Sequence, residues 1–334
     1  MEQVHIIIPC YNGENYITET LNSIFNQSYT QFILTVIDDH SKDNSLSLLQ
    51  GITDSRLCII QNKEQLTITQ NFNNCVRHSQ TDLFCIMHQD DVYEPNYLEE
   101  MVEAMNTHKE TAIAHCDFFT IDEAGSKIID FKYELKRQLF FKETEYTFLD
   151  YMDEYKMLMM GDYIICPSVM YRRSIFESIG YFDDQYLQVE DWDFYIRILL
   201  NQNKILRVNK RLFNYRIHKK TKSQELVKNL VKYKEEISML TKHYHTAKEK
   251  QFPLNFTEKK LYTNVFKILL WDIKNDLLQN EIILAFQKLN FALRSFPYLE
   301  LKLIVLALYP ISLMGKVTGN ILDFLAKIIL GKKQ

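Results

Sequence analysis

The amino-acid sequence predicts an α/β protein, with a mostly parallel sheet flanked by helices and followed by a helical C-terminal region. Two observations support this. Over residues 1–224, short apolar runs alternate with amphipathic stretches, which is the pattern of βαβ units. Beyond about residue 225 the strand patterns cease, lysine becomes frequent, and helical periods continue to the end. We therefore predict two domains, residues 1–224 and 225–334.

The first 120 residues contain five predicted strands and four predicted helices. Each strand is a short apolar run, and each helix spaces its apolar residues three or four positions apart. The strands are 4–9, 32–37, 57–60, 83–87 and 112–119, and the helices are 16–25, 45–49, 69–78 and 97–107. In open parallel sheets ligands bind beyond the carboxyl ends of the strands, so the residues that follow each strand are the candidates for function.

The rest of the first domain is less regular. Residues 131–160 are rich in aromatic and charged residues and show no clear period, so no element is predicted there. Further on, the patterns predict strands at 168–171, 205–208 and 212–217, a short helix at 173–179, a loop at 180–189 and an amphipathic helix at 190–200.

The charges are unevenly distributed. The whole chain carries −4, but residues 219–334 contain 20 Lys+Arg and 10 Asp+Glu, a net charge of +10 that leaves −14 for residues 1–218. An acidic first domain argues against nucleic acid as a ligand and suits a site that holds a cation. The six cysteines form no C-x-x-C pair, so we expect reduced thiols in a cytoplasmic protein.

The end of the chain is apolar and basic. Its longest uncharged apolar stretch, residues 303–315, has 13 residues, fewer than the ~18–20 that a membrane-spanning helix needs. Residues 320–330 have the pattern of an amphipathic helix. We expect these helices to lie on anionic lipid at the cytoplasmic face of the inner membrane. The alternative is that they pack on the first domain or form a homodimer interface.

Pairs of carboxylates follow two predicted strands. Asp38-Asp39 comes directly after one strand, and Asp90-Asp91 follows another within the run His88-Gln89-Asp90-Asp91. The carboxyl ends of parallel strands open into one crevice, so the two pairs should converge. Carboxylate oxygens suit Mg²⁺ or Mn²⁺, and such metals usually bridge the protein to a diphosphate. A capping role for aspartate explains one isolated residue better than two pairs.

Two further groups of residues are candidates for catalysis or ligand binding. Glu190-Asp191-Trp192-Asp193 opens a predicted helix, where carboxylates are stabilised, but Asp191 is also placed as a general base would be. Arg216 and His218 alternate on a strand and so share a face. An arginine can neutralise a diphosphate and a neutral imidazole can bind a metal. A solvated basic surface is the alternative. The sequence has no G-x-G-x-x-G, P-loop, G-x-S-x-G or H-E-x-x-H motif.

Taken in order, five segments resemble the motifs of family 2 glycosyltransferases with the GT-A fold. They are residues 7–12, 36–43, 88–91, 190–193 and 215–218, within a resemblance that covers roughly residues 3–223. The resemblance implies an inverting transfer of a sugar from a UDP- or dTDP-sugar to an acceptor hydroxyl. It also suggests a glycan or lipid-linked acceptor in bacterial surface polysaccharide or glycolipid synthesis.

The resemblance implies a role for each matching residue. The nucleotide-sugar would contact Pro9, Tyr11, Asn12, Asp39, Asp90 and Arg216. The metal, Mn²⁺ or Mg²⁺, would be held by Asp91 and His218. Asp191 would be the general base, and Glu190 would orient the acceptor. Sugar choice is expected in residues 131–165 and acceptor choice in loop 180–189.

One residue departs from the family pattern. His88 stands where many members carry a further acid, so metal preference or ribose contact is expected to differ.

Two other protein classes are alternatives to a glycosyltransferase. A non-catalytic sugar-nucleotide-binding or scaffold protein of the same fold would predict loss of Asp91 or of the Glu190-Asp191 pair, and both are present. A nucleotidyltransferase needs a glycine-rich, basic phosphate loop, whereas residues 9–15 contain one glycine and no lysine or arginine.

Overall fold

A computed structural model describes residues 2–129, 144–218 and 226–311, without the side chains of 309–311. The chain divides into two compact units, Met1–Lys220 and Thr221–Gln334. The predicted domain boundary at residue 225 lies outside the described residues. Three other predicted or unassigned segments also lie outside the described residues. They are residues 131–143 of the stretch without a predicted element, residues 312–315 of the apolar run and the amphipathic stretch 320–330.

The described part of the first unit is built on one ten-stranded sheet. Its strands are β1 (Val4–Cys10), β2 (Phe32–Asp38), β3 (Leu57–Gln61), β4 (Leu83–Ile86), β5 (Val92–Tyr93), β6 (Thr111–Ile121), β7 (Lys127–Ile128), β8 (Tyr146–Phe148), β9 (Val169–Arg172) and β10 (Lys204–Arg216). The order is β3-β2-β1-β4-β9-β6-β10-β5, with β7 beside β6 and β8 beside β10. β1 pairs in parallel with β2 and β4, β2 with β3, and β6 with β10, and the remaining pairings are antiparallel.

Seven helices of the described first unit connect these strands. They are α1 (Ile17–Phe25), α2 (Ser45–Gln50), α3 (Ile68–His78), α4 (Tyr97–Thr107), α5 (Tyr151–Met160), α6 (Ser174–Ile179) and α7 (Glu190–Leu200). Strand β1 lies between β2 and β4, and its residues Ile6, Ile7 and Ile8 are fully buried although their side chains alternate between the two faces. A strand that is apolar on both faces is typical of a sheet covered by helices on both sides. The predicted α/β fold is thus confirmed.

Two local predictions are wrong. Residues 205–208 and 212–217 were expected to form separate strands, but Lys204–Arg216 is one strand whose register shifts around Arg211. The polar residues between the two apolar runs are accommodated by these irregularities, which let a strand continue past a break in its alternation. Helix α5 lies where no element was expected. Its buried face includes Glu154 beside apolar residues, so its apolar period is interrupted.

The second unit is helical, as predicted. Its helices within the described residues are α8 (Val231–Glu249), α9 (Glu258–Leu278), α10 (Ile282–Ser295) and α11 (Leu299–Ile311). Leu269 of α9 and Leu289 of α10 are fully buried. Among the residues that the structure describes, no helix is long and apolar enough to cross a membrane.

Candidate active site

The loops that follow β1 and β4 are clamped together by one glutamine. Tyr11 donates its backbone N–H to Oε1 of Gln89 at 2.8 Å, and Gln89 Nε2 donates to the Tyr11 carbonyl at 3.0 Å. Gly13 permits this approach, because a Cβ on Gly13 would lie 2.7 Å from Gln89 Oε1. The segment predicted to contact the nucleotide is therefore fixed against the segment that carries Asp90 and Asp91.

Asn12 joins the β1 loop to the loop after β2. Its side-chain oxygen accepts from the Lys42 N–H at 2.8 Å, and its own N–H donates to Ser41 Oγ at 3.0 Å. Asn12 takes a φ of 52°, a left-handed conformation that asparagine tolerates better than most residues. Pro9 lies near the end of β1, opposite Ile37.

Asp39 is buried at the end of β2 and is held in one orientation. Its backbone N–H donates to the Cys10 carbonyl at 2.8 Å. Its Oδ1 accepts from Asn62 Nδ2 at 2.7 Å and from the Leu66 N–H at 3.0 Å. A carboxylate offers about four lone-pair sites, so these contacts orient Asp39 and leave it further capacity as an acceptor.

Asp90 and Asp91 are held by the end of β10. The Arg216 N–H donates to Asp91 Oδ1 at 2.8 Å, and its guanidinium Nε donates to the Asp90 carbonyl at 2.6 Å. His218 Nε2 lies 2.8 Å from Asp90 Oδ2. Burial opposes ionisation of Asp90, but the hydrogen bond to His218 and the charges of His88 and His218 outweigh it and lower the pKa of Asp90. Thr20 supports the same turn by donating its hydroxyl to the Asp91 carbonyl at 2.8 Å.

The guanidinium of Arg216 is fully engaged within this cluster. Its Nη2 lies 2.7 Å from Glu19 Oε2, its Nη1 donates to the Asp122 carbonyl at 3.1 Å, and its side chain is 0% exposed. The ring of Tyr16 lies 4.8 Å from the guanidinium carbon. In this structure Arg216 therefore holds the turn that carries Asp90 and Asp91 in position. The predicted contact of its side chain with a diphosphate stays a prediction.

A cation would fit beside Asp91. The ligand atoms of His88, Asp90 and Asp91 lie within 4.8 Å of one another. The Asp91 side chain is only 1% exposed, and among the described residues its Oδ2 has no hydrogen-bond partner. Burial, reinforced by the Asp90 charge, raises the pKa of Asp91 well above its ordinary value although Arg216 opposes the rise, so an ionised Asp91 would be stabilised by a further positive charge. A divalent cation meets that need, and the donor set of carboxylate oxygens and imidazole suits it.

Glu190 and Asp191 open α7 and form a second acidic group. Glu190 is buried, and Asp191 Oδ1 accepts from the Trp192 N–H at 2.7 Å. Burial, together with the charges of Asp162 and Glu190, raises the pKa of Asp191 well above its ordinary value. Asp193, the third carboxylate of this segment, pairs with Arg197 at 2.7 Å and is structural.

The structure thus brings Asp90, Asp91, Arg216 and His218 into one cluster, tied to Tyr11 through Gln89. Sequence reasoning placed no role on Gln89 or Asp162. Gln89 stands inside a motif that was recognised, but its clamp depends on a contact 78 positions away in sequence. Asp162 follows a stretch whose apolar residues show no helical or strand periodicity, so no predicted strand end or helix start lay next to it.

The fold and this cluster define an α/β protein with an acidic cluster beyond the carboxyl ends of parallel strands, the position at which such sheets bind ligands. The chain belongs to glycosyl transferase family 2, whose model matches residues 5–180, more than half of the chain.

Individual relatives are distant. An uncharacterized glycosyltransferase of Rickettsia typhi is 26% identical over 215 residues, covering 64% of this chain and 62% of that protein. One of Methanocaldococcus jannaschii is 26% identical over 219 residues, covering 64% of this chain and 70% of that protein. The match therefore spans less than two thirds of the length of the first of these relatives.

Two solved structures of S. aureus TarS 1–349 share the fold. The complex with UDP has a TM-score of 0.55 at 17% identity, covering 80% of this chain and 70% of that chain. The complex with UDP-GlcNAc has a TM-score of 0.55 at 16% identity, covering 86% and 88%.

Proposed function

We propose that this protein is an inverting glycosyltransferase that moves a sugar from a UDP- or dTDP-sugar to an acceptor hydroxyl. The observation that carries the proposal is the buried, unpartnered Oδ2 of Asp91, among the described residues, at the carboxyl end of β4. Family membership supports glycosyl transfer. The UDP and UDP-GlcNAc held by the TarS structures support a uridine diphosphate sugar as the first donor to test.

The donor nucleotide would lie across the ends of β1 and β2. Tyr11 and Pro9 would contact the base and ribose, and Asp39 would accept a hydrogen bond from the pyrimidine N3–H. Asn62 and the Leu66 N–H already orient the Asp39 carboxylate, so that bond needs little reorganisation. Asn12 would act by holding the Ser41 loop beside the base.

The diphosphate would lie at the Asp90-Asp91 turn. Asp91 and His218, which contacts Asp90, are proposed to hold a divalent cation, Mn²⁺ or Mg²⁺. When bound, such a cation supplies Lewis-acid stabilisation of the departing diphosphate. Arg216 is proposed to add positive potential at the same place, while its hydrogen bonds keep Asp90 and Asp91 in position.

The transfer itself would be a single displacement. The acceptor oxygen forms a bond to the anomeric carbon, and the bond from that carbon to the diphosphate oxygen breaks and leaves its electron pair on the diphosphate. Asp191 takes the acceptor proton, and Glu190 orients the acceptor. The raised pKa of Asp191 supports this role, because a more basic carboxylate takes up the acceptor proton more readily.

The test is a nucleotide-sugar hydrolysis screen without acceptor. Purified protein with Mn²⁺ is incubated with UDP-, dTDP- and GDP-sugars, and free nucleoside diphosphate is quantified. Asp91→Asn keeps an oxygen that can accept from the Arg216 N–H, and we expect it to lower release by at least ~100-fold. Asp191→Asn should lower release by ~10²–10⁴-fold while donor binding, measured by calorimetry, is unchanged.

The control is Glu110→Gln, whose side chain is 52% exposed just before β6, and it should release as fast as the parent. Release from no donor, with no UDP or dTDP binding by calorimetry, would favour the non-catalytic scaffold instead. With a simple alcohol as surrogate acceptor, proton NMR should show a glycoside of opposite anomeric configuration to the donor. Retained configuration would exclude the single displacement.

The acceptor and location are proposals as well. We propose a glycan or lipid-linked acceptor of bacterial surface polysaccharide or glycolipid synthesis, reached at the cytoplasmic face of the inner membrane. The excess of basic residues in 219–334 supports contact with anionic lipid. So do the apolar side chains that α11 exposes, Leu299 at 66%, Leu303 at 54% and Leu306 at 53%. A homodimer formed through the same helix is the alternative.

A further inference from the structure

His88 and Asp91 face each other at the carboxyl end of β4 without a hydrogen bond between them. His88 Nδ1 lies 3.8 Å from Asp91 Oδ2, beyond the upper limit of about 3.2 Å for such a bond. Within the described ranges, the buried Asp91 Oδ2 has no hydrogen-bond partner, and Nδ1 is the His88 nitrogen that lies near it. A buried carboxylate oxygen left this way is costly unless something else engages it.

We propose that the His88 imidazole is a ligand of the divalent cation at Asp91 and makes the site prefer Mn²⁺ or Co²⁺ over Mg²⁺. The inference rests on the proposed function only in taking a cation to bind at Asp91. It replaces His218 by His88 as the imidazole that binds the cation, and gives His218 the role of orienting Asp90.

The spacing suits two ligands of one ion. At metal–ligand bonds of about 2.1 Å, octahedral ligands lie ~3.0 Å apart in cis and ~4.2 Å apart in trans, and 3.8 Å falls between these limits. Asp90, the third member of the group within 4.8 Å, is already paired with His218 at 2.8 Å. His218 is thereby placed to orient Asp90, and His88 is the imidazole that faces the unpartnered oxygen of Asp91.

The position of His88 is fixed by its surroundings. The preceding residue, Met87, is fully buried and donates its N–H to the Ile7 carbonyl at 2.9 Å. The following residue, Gln89, is clamped to Tyr11. The ring of Phe72 lies 5.6 Å from the imidazole at an interplanar angle of 31°. A ligand held on a strand end in this way is pre-organised for an ion.

The nature of the donor determines the metal preference. Mg²⁺ prefers oxygen ligands and keeps much of its water, whereas imidazole nitrogen binds the later divalent metals more strongly. An aspartate at position 88 would give an all-oxygen group, and the histidine replaces one oxygen by nitrogen. The ratio of the dissociation constants for Mg²⁺ and Mn²⁺ is therefore the quantity that His88 sets.

The experiment measures metal binding on the full chain, independently of turnover. Mn²⁺ is titrated by the loss of its free EPR signal and Mg²⁺ by competition, each with and without UDP. His88→Asp and His88→Gln should each lower the Mg²⁺/Mn²⁺ ratio of dissociation constants at least ~10-fold. Asp91→Asn should weaken both metals. His245→Gln, in the second unit and 56% exposed at its side chain, is the control and should leave both constants unchanged.

Pulsed EPR then identifies the ligand. Bound Mn²⁺ should show a ¹⁴N coupling in the parent and in His218→Gln, and that coupling should be absent from both His88 variants. Circular dichroism confirms that each variant is folded. Persistence of the coupling in the His88 variants, or an unchanged metal ratio, would overturn the inference and leave the glycosyl-transfer proposal intact. Mn²⁺ binding by neither parent nor variants, with or without UDP, would overturn this inference and the metal part of the proposed function together.

Discussion

Replacing Gly13 by alanine tests how the two site loops are joined. The added Cβ would lie 2.7 Å from Gln89 Oε1 and 3.2 Å from Cys10 Sγ, so the glutamine has to move. Moving it breaks the two hydrogen bonds between Gln89 and the backbone of Tyr11. At about 1 kcal/mol each, these contribute ~2 kcal/mol, and alanine returns ~0.4–1 kcal/mol by restricting the unfolded chain. We expect the first unit to lose ~1–1.5 kcal/mol of unfolding free energy.

The chain has two tryptophans, which allows the first unit to be followed separately. Trp192 lies in the first unit and is buried, whereas Trp271 lies in the second and is 45% exposed. In a Trp271→Phe background, urea unfolding followed by fluorescence therefore reports the first unit. Gly51→Ala is the matched control, because its helical φ of −76° suits alanine and its Cβ would meet nothing closer than 3.5 Å. That variant should be unchanged or slightly more stable.

A double-mutant cycle separates the clamp from other effects. In a Gln89→Ala background the clash partner is gone, so Gly13→Ala should be about neutral, because the ~0.4–1 kcal/mol from restricting the unfolded chain offsets the Cys10 contact. If Gly13→Ala costs the same in both backgrounds, the close approach of Gln89 is not the reason for glycine at this position, and the reasoning is refuted.

Three further predictions concern the base, a buried ion pair and the C-terminal helix. Because the pKa of Asp191 is raised, the rate of nucleoside diphosphate release should fall on acidification at pH values above the ordinary aspartate range. Asp162→Asn removes a charge that raises this pKa, so it should shift the acidic side of the pH–rate profile to lower pH. A profile that does not shift would contradict the role of Asp162. Glu154 and Arg207 pair at 2.7 Å with side chains 2% exposed, so Glu154→Gln should cost ~3–5 kcal/mol in urea unfolding, and a cost below ~1 kcal/mol would contradict burial of the pair. Leu303→Glu should reduce sedimentation with anionic vesicles several-fold relative to Leu48→Glu in the first unit, whereas a dimer-to-monomer change with equal vesicle binding would favour the homodimer.

The parallel half of the fold is readable from the sequence because its signals are local. Strand β1 is a run of apolar residues buried on both faces, and helix α3 starts at a capping box of Thr67 and Gln70. The long strand β10 and the helix α5 were missed because their patterns are interrupted by polar residues. In α5 the interruption is Glu154, whose burial makes sense only beside Arg207, 53 positions later.

The candidate site also has a part that local sequence signals predict and a part that depends on contacts between distant segments. Asp39, Asp90, Asp91 and Asp191 were predicted because each follows a strand or opens a helix, and position along the chain was enough. The contacts that give these residues their properties are between distant segments: Arg216 with Asp91, His218 with Asp90, and Asp162 with Asp191. Motif spacing identifies the candidate residues, but the pKa values of Asp90, Asp91 and Asp191 depend on neighbours that only the fold supplies.

Two acidic side chains in the first unit are equally buried but differ in how their charge is compensated. Glu154 is paired with Arg207, and Tyr163 also donates to it, so its charge is compensated within the protein. Asp91 is equally buried, yet across the described ranges its Oδ2 has no hydrogen-bond partner and its pKa is raised. Such a buried carboxylate, whose charge is only partly compensated by Arg216, destabilises the folded protein when it ionises, since its folded pKa lies above the unfolded one. A cation bound at Asp91 would supply the compensation that Arg207 gives Glu154, which couples metal binding to the stability of the site.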